Sequence, residues 1–139
     1  MPTSERIDFE TLKRARTPNT FLMAPEGLCK NAKIDMAAPV YAVPAAKLRQ
    51  EFLNVAIAQP RTSHVFADEP GLYDDFVVRS ALFRFPDLVA VKFIDLKGKT
   101  STLALYSRSV YGRSDLGVNR KRSLAWLAQL SVAAKPVKG

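Results

Sequence analysis

The densest run of groups able to hold an anion lies between Arg108 and Arg122. It carries Arg108, Arg113, Arg120, Lys121 and Arg122, the hydroxyl of Ser114, the amide of Asn119 and one acid, Asp115. Gly112 and Gly117 fall inside it and allow backbone conformations that other residues resist. A strand is expected to end within this run, at Val110, and a helix to begin at Asn119, whose side chain suits an N-cap. Arg120, Lys121 and Arg122 then occupy a first helical turn, where the helix dipole disfavours positive charge. A phosphate or carboxylate seated there reverses that penalty, because backbone N–H groups and guanidinium forks converge on it. The competing arrangement is a salt-bridged corner in which Asp115 pairs with Arg108, Arg113 or Arg120. As the only acid after Asp95, it cannot neutralise them all.

Other chemistries have thin support. The chain has one cysteine, Cys29, and one histidine, His64. That excludes an intramolecular disulfide and leaves no ligand set for a structural zinc, and no cofactor or metal is expected. A Cys29–His64 dyad is conceivable, but nothing around Cys29 marks an activated thiolate. Asp74 and Asp75 form a carboxylate pair in sequence only; strand neighbours point to opposite faces, and a polar strand start accounts for them. Arg79 and Arg84 with Phe83 and Phe85 suit either a single-stranded nucleic-acid surface or sheet core with edge ion pairs. His64 reads as a half-buried strand residue. Tyr106 and Tyr111 flank Arg108 and either stack on a ligand or pack on the last helix. No residue is assigned a catalytic role.

Charge is unevenly placed. The net +8 of the 139 residues is concentrated from Arg108 onward, where seven basic side chains stand against one acid. Such a balance points to an acidic partner, whether phosphate, anionic lipid, nucleic acid or an acidic protein face, or else to a solvated basic surface. Apolar content of 47% and charged content of 24% are those of a globular domain. No stretch has the roughly 18 to 20 consecutive apolar residues that span a membrane, and the N-terminus lacks a secretory signal's apolar core.

The elements that must position these residues are those of an α+β domain. Residues 1–40 read as an irregular N-terminal arm, punctuated by Pro18, Pro25, Gly27 and Pro39. Its Phe21, Leu22, Met23, Leu28, Ile34 and Met36 must be buried, on the arm's own domain or on a partner chain. Residues 41–135 form the domain, and 136–139 a short tail. Pro44–Ala58 reads as a helix, with Pro44 in the first helical position and Leu48, Phe52, Val55 and Ala56 at helical spacing. Strands are expected at Arg61–Ala67, Phe76–Phe85, Leu88–Leu96 and Thr100–Val110, with Lys97-Gly98-Lys99 as a hairpin turn. A second helix spans Asn119–Ala134, with Leu124, Leu127, Ala128 and Ser131 as its stripe and Trp126, Leu130 and Ala133 beside it. The expected fold is an antiparallel sheet of about four strands with both helices on one face.

The segment Arg108-Ser-Val-Tyr-Gly-Arg-Ser-Asp-Leu-Gly-Val-Asn-Arg-Lys-Arg122 resembles the signature of the family catalogued as domain of unknown function 1499. Thr17-Pro18-Asn19 with Pro25, Pro60-Arg61-Thr62 and Arg84-Phe85-Pro86-Asp87 resemble its sparser pattern, so the resemblance spans about Thr17 to Leu130. It implies a small soluble domain of bacteria and of photosynthetic or related organelles, often beside a membrane, and it brings no activity. The leading expectation is a non-catalytic binding or interaction domain, an accessory subunit of a larger membrane-adjacent assembly in a periplasm or organelle. The second is a domain that holds a small anionic ligand or lipid head group on Arg108, Arg113, Arg120 and Arg122. The third is an enzyme that uses the arginines and Asp115 on an anionic substrate.

Overall fold

The computed structural model describes residues 6–14, 19–110 and 117–137. In chain order the elements are β1 (Thr20–Ala24), β2 (Met36–Ala37), α1 (Ala45–Ile57), β3 (Thr62–Asp68), β4 (Tyr73–Arg79), β5 (Pro86–Asp95), β6 (Ser101–Ser109) and α2 (Val118–Ala133). They form a mixed six-stranded sheet in the order β2-β1-β6-β5-β4-β3, with β1 and β2 parallel and the other neighbours antiparallel. The α+β class and the two helices agree with the expectation; four antiparallel strands was an underestimate. The two additional strands come from the segment read as irregular. Thr20–Ala24 is a five-residue strand hemmed by prolines, too short to show a period.

The long β5–β6 hairpin is the centre of the sheet, pairing Asp87↔Ser109 through Asp95↔Ser101. Its turn takes left-handed geometry at Gly98 and Lys99, which suits a tight hairpin. Alternation along the strands then sorts the side chains into two faces. Phe21, Met23, Phe76, Val89, Val91, Phe93, Leu103 and Leu105 meet the two helices. Phe52 of α1 is central to that layer, with ring centroids 5.9, 5.5 and 5.8 Å from Phe76, Phe93 and Trp126. Such tilted and edge-on pairs add about 0.5–1.5 kcal/mol each beyond burial.

Helix α1 starts one residue later than expected, with Pro44 as its N-cap. Proline offers no side-chain cap, and the first turn holds no acid. A distant residue does the work: Asp95 Oδ1, at the end of β5, accepts the Ala45 N–H at 2.8 Å. A carboxylate there also complements the positive end of the helix. Among the described residues no helix is long and apolar enough to cross a membrane.

The opposite face is covered by the chain's own N-terminal segment. Phe9 and Leu12 bury themselves against Leu22, Ala24, Tyr73, Ala90, Ala104 and Tyr106, with Leu28, Cys29 and Ile34 alongside. Of the two places open to the apolar arm, its own domain is the one it occupies. A polar rivet fixes it: Tyr73 Oη accepts the Ile7 N–H at 2.8 Å and donates to Asp75 Oδ1 at 2.8 Å. Arg6 lies over the Tyr73 ring, 4.6 Å from its centroid, and pairs with Asp68 at 2.6 Å.

Asp75 is buried under this arm, and its Oδ2 has no hydrogen-bond partner among the described residues. Burial raises its carboxyl pKa, against the lowering pull of the Tyr73 hydroxyl and the Arg108 charge. The unfolded chain releases this proton near the ordinary value of 3.8, the folded chain only at higher pH. The native state therefore binds more protons across that interval, and this group's contribution to stability falls as pH rises through it. Denaturant unfolding measured between about pH 4 and pH 7 should show the difference between Asp75→Asn and the parent shifting in the variant's favour as pH rises. A pH-independent difference would contradict the assignment.

Candidate functional site

The corner where β6 ends and α2 begins is where the anion-holding residues were expected. Gly117 is the N-cap of α2, in left-handed geometry at φ 81°, with no side-chain cap and no acid in the first turn. Asn119 is therefore inside the helix rather than capping it, and Arg120 and Lys121 occupy the first turn, with Arg122 opening the next. Arg113, Ser114 and Asp115, with Tyr111 and Gly112, lie outside the described residues.

Asn119 is fully buried and is the hub of a polar network. Its Oδ1 accepts from Ser107 Oγ at 2.6 Å and from Arg122 at 2.9 Å. Its Nδ2 donates to the Asn19 carbonyl at 3.0 Å and to Ser109 Oγ at 2.9 Å. Both amide protons and the carbonyl oxygen are thus used. Arg122 reaches on to Ser107 Oγ at 3.2 Å and pairs with Asp87 at 2.7 Å, both partners of the ion pair being largely buried. Ser123 Oγ donates to the Asn119 carbonyl at 2.8 Å. The network ties the first turn of α2 to β6, to the start of β5 and to the residue preceding β1. Asp87 neutralises Arg122, a pair absent from the salt-bridged corner drawn from the sequence, which set Asp115 against Arg108, Arg113 or Arg120.

This arrangement also rotates α2 from its expected setting. The buried face runs Asn119, Ser123, Trp126, Leu127 and Leu130, while Leu124 and Ala128 are exposed. An apolar stripe alone could not locate that face, because its first two members are polar residues buried for their hydrogen bonds.

Arg108 does not join Arg122. Ser107 points to the helices, so its neighbour points to the other face, under the arm. There Arg108 sits with its guanidinium 5.2 Å from the Tyr106 ring centroid. Burial works against its charge, and Asp75 and the two tyrosines Tyr106 and Tyr73 support it. The same alternation separates the other pairs. Asp74 faces α1, bound by Arg49 at 2.7 and 2.8 Å and by His64 at 2.8 Å, whereas Asp75 faces the arm. Both acids do lie at the start of a strand, as the second and third residues of β4, and both are buried there. His64 stacks on Phe76, on the helical side, while Cys29 packs in the arm-side layer, so they form no dyad.

Beside the Asn119 network opens a cleft of about 450 Å³, whose lining includes Val78, Val118, Ala125 and Trp126 together with Arg61, Arg79, Lys121 and the Asp87–Arg122 pair. Arg61 takes a left-handed φ of 56°. Its Nε donates to the Arg79 carbonyl at 3.0 Å. Among the described residues, Arg61, Arg79 and Lys121 have no carboxylate partner. Arg120 stands apart from the cleft, over Phe21 with its guanidinium 5.3 Å from the ring centroid.

An α+β sheet domain with a basic cleft between the end of α1, the start of α2, the start of β3 and the end of β4 is therefore the class that fold and site define. The chain belongs to the family described as protein of unknown function DUF1499, which matches residues 12–130. No curated protein matches the chain. Asn19, Arg61 and Asp87, which carry the sparser part of the family resemblance, converge here with Asn119 and Arg122 of the signature. That convergence is the sequence signal for Asp87 and Arg61; Arg79 reads in the sequence only as part of a basic-aromatic surface, and Ser107 and Trp126 carry no signal.

Replacing Asn119 by Ala strands several buried polar groups at once. Since each costs about 1–3 kcal/mol when unsatisfied, urea unfolding should show a loss of at least about 2 kcal/mol. A loss below about 0.5 kcal/mol, the usual scale of surface substitutions, would remove the network from its structural role.

Proposed function

We propose that this chain is a non-catalytic binding domain whose ligand presents an anionic group to the cleft beside α2. The observation that carries the reading is the trio Arg61, Arg79 and Lys121, three cations without carboxylate partners among the described residues, around an apolar floor of Trp126, Val78 and Ala125. Ligand sites commonly combine a mostly apolar lining with a few placed polar groups, within about 300–1,000 Å³. The first turn of α2, which holds no acid, adds its positive dipole end. Arg122 serves by holding Lys121 and the helix start in place while its own charge is spent on Asp87.

The ligand-contacting set in this reading differs from the one drawn from the sequence. Arg108 leaves it, because it faces the arm, and Arg61 and Arg79 enter. The reading as an accessory subunit of a larger assembly drew on an apolar arm seeking a partner. With the arm's Phe21, Leu22 and Met23 seated on the chain's own sheet, the arm no longer adds to that reading, which keeps only the basic C-terminal third and the lack of a catalytic constellation in the sequence.

Titration of the labelled chain with inorganic phosphate and with glycerol 3-phosphate, followed by NMR, tests this. Shifts should gather at Arg61, Arg79, Lys121 and the Trp126 indole. Arg61→Gln and Lys121→Gln should each weaken binding about ten-fold, as loss of one charge-assisted hydrogen bond implies. Arg108→Gln should leave binding unchanged. Shifts centred on Tyr73 and Arg108, or none at all, would overturn the reading.

A further inference from the structure

We infer that the β4–β5 loop, residues 80–85, is a docking tip that enters the surface of a bilayer containing anionic lipid. The sequence pattern Phe76–Phe85 reads as one long strand, yet β4 ends at Arg79 and the last rung of the hairpin is Arg79↔Pro86. Beyond that rung the chain closes a rigid loop. Ser80 N–H bonds the Phe85 carbonyl at 3.0 Å, Phe85 N–H bonds Ser80 Oγ at 3.0 Å, and Arg79 donates to the Arg84 carbonyl at 3.1 Å. Arg84 accepts a left-handed φ of 58° to make the turn.

This loop carries Leu82, 79% exposed, Phe83, 68% exposed, and Phe85, 51% exposed. Five of the eight phenylalanines in the chain are at most 2% exposed, and of the other three, two lie in this loop and are more exposed than Phe66 at 42%. Phe83 and Phe85 stack on each other at 5.5 Å, presenting one apolar ridge with Leu82. Val110, whose N–H bonds the Pro86 carbonyl, adds an exposed apolar side chain at the same end of the sheet. Arg79 and Arg84 flank the ridge, and no acid lies between Phe76 and Asp87.

Shape and charge select the occupant. A stable protein interface needs about 800 Å² on each partner, which a narrow tip of three side chains does not offer. A bilayer interface accepts apolar side chains one by one, and its anionic head groups attract adjacent arginines. Base stacking would account for the rings but not for Leu82, the most exposed of the three. The inference stands on the loop alone; it does not require the cleft to bind anything. Where both hold, a lipid head group is the anion of the cleft.

Sedimentation of the full chain with vesicles of phosphatidylcholine, with and without phosphatidylglycerol, provides the test. The chain should partition onto the anionic vesicles, and less as salt rises. The triple substitution Leu82→Ser, Phe83→Ser, Phe85→Ser should cut partitioning at least about ten-fold while leaving the thermal unfolding midpoint unchanged, since these side chains are exposed. Arg84→Gln should cut it about five-fold. Absence of vesicle binding, or binding indifferent to the triple substitution, would overturn the inference. So would binding of a single-stranded oligonucleotide that Phe83→Ser abolishes while vesicle binding persists. Vesicle binding retained by Arg61→Gln and Lys121→Gln, in a chain that shows no phosphate shifts, would sustain the tip and sink the cleft reading.

Discussion

Asn119 is a buried amide in the first turn of a helix, and a buried amide is tolerable only when its donors and acceptor are all engaged. Meeting that demand brings Ser107 and Ser109 from β6, the Asn19 carbonyl from the approach to β1, and Arg122 from the next turn of α2 into one place. Arg122 in turn needs a counter-charge, because a largely buried guanidinium without one is costly, and Asp87 at the start of β5 supplies it. Three strands and a helix are thereby registered at one corner. The position of Trp126 over the sheet, the wall of the basic cleft and the setting of Lys121 at its edge follow from that registration.

Strand alternation is the second constraint, and it reassigns the charged residues. Consecutive positions in β6 and β4 send Ser107 and Arg108, or Asp74 and Asp75, to opposite sides of the sheet. The helical side gathers a structural network and a cleft with three cations, while the arm side gathers Tyr73, Asp75, Arg108 and the arm itself. Charges close in sequence are thus separated by the thickness of the sheet. Asp87 and Arg122, which are distant in sequence, form the ion pair.

Much of the framework was legible because it follows strong periodic or turn signals. Both helices, the β5–β6 hairpin with its Lys97-Gly98-Lys99 turn, and the placement of both helices on one face come directly from spacing and turn chemistry. The misses have physical causes. Thr20–Ala24 was hidden because it is short and pairs with strands far away in sequence. The Ser80–Phe85 loop was read as strand because it is apolar, and because its left-handed turn residue is an arginine rather than a glycine or asparagine. The burial of α2 was misjudged because Asn119 and Ser123 look like surface residues until their partners are known. In the candidate site, Arg108 and Arg122 were grouped by proximity in sequence, whereas the fold brings Arg61 and Arg79 to the first turn of α2.

The central claim is that the Arg122–Asp87 pair, set on Asn119, is an internal support of this corner and not a free anion-binding group. A double-mutant cycle on stability addresses it directly, with Arg122→Met, Asp87→Asn and the double variant unfolded in urea. The account predicts that each single change is strongly destabilising, by about 3 kcal/mol or more, and that the double variant recovers part of the loss, giving a coupling of about 1–3 kcal/mol. Additive effects with coupling near zero, or single variants as stable as the parent, would contradict it and return Arg122 to the pool of charges available to a ligand.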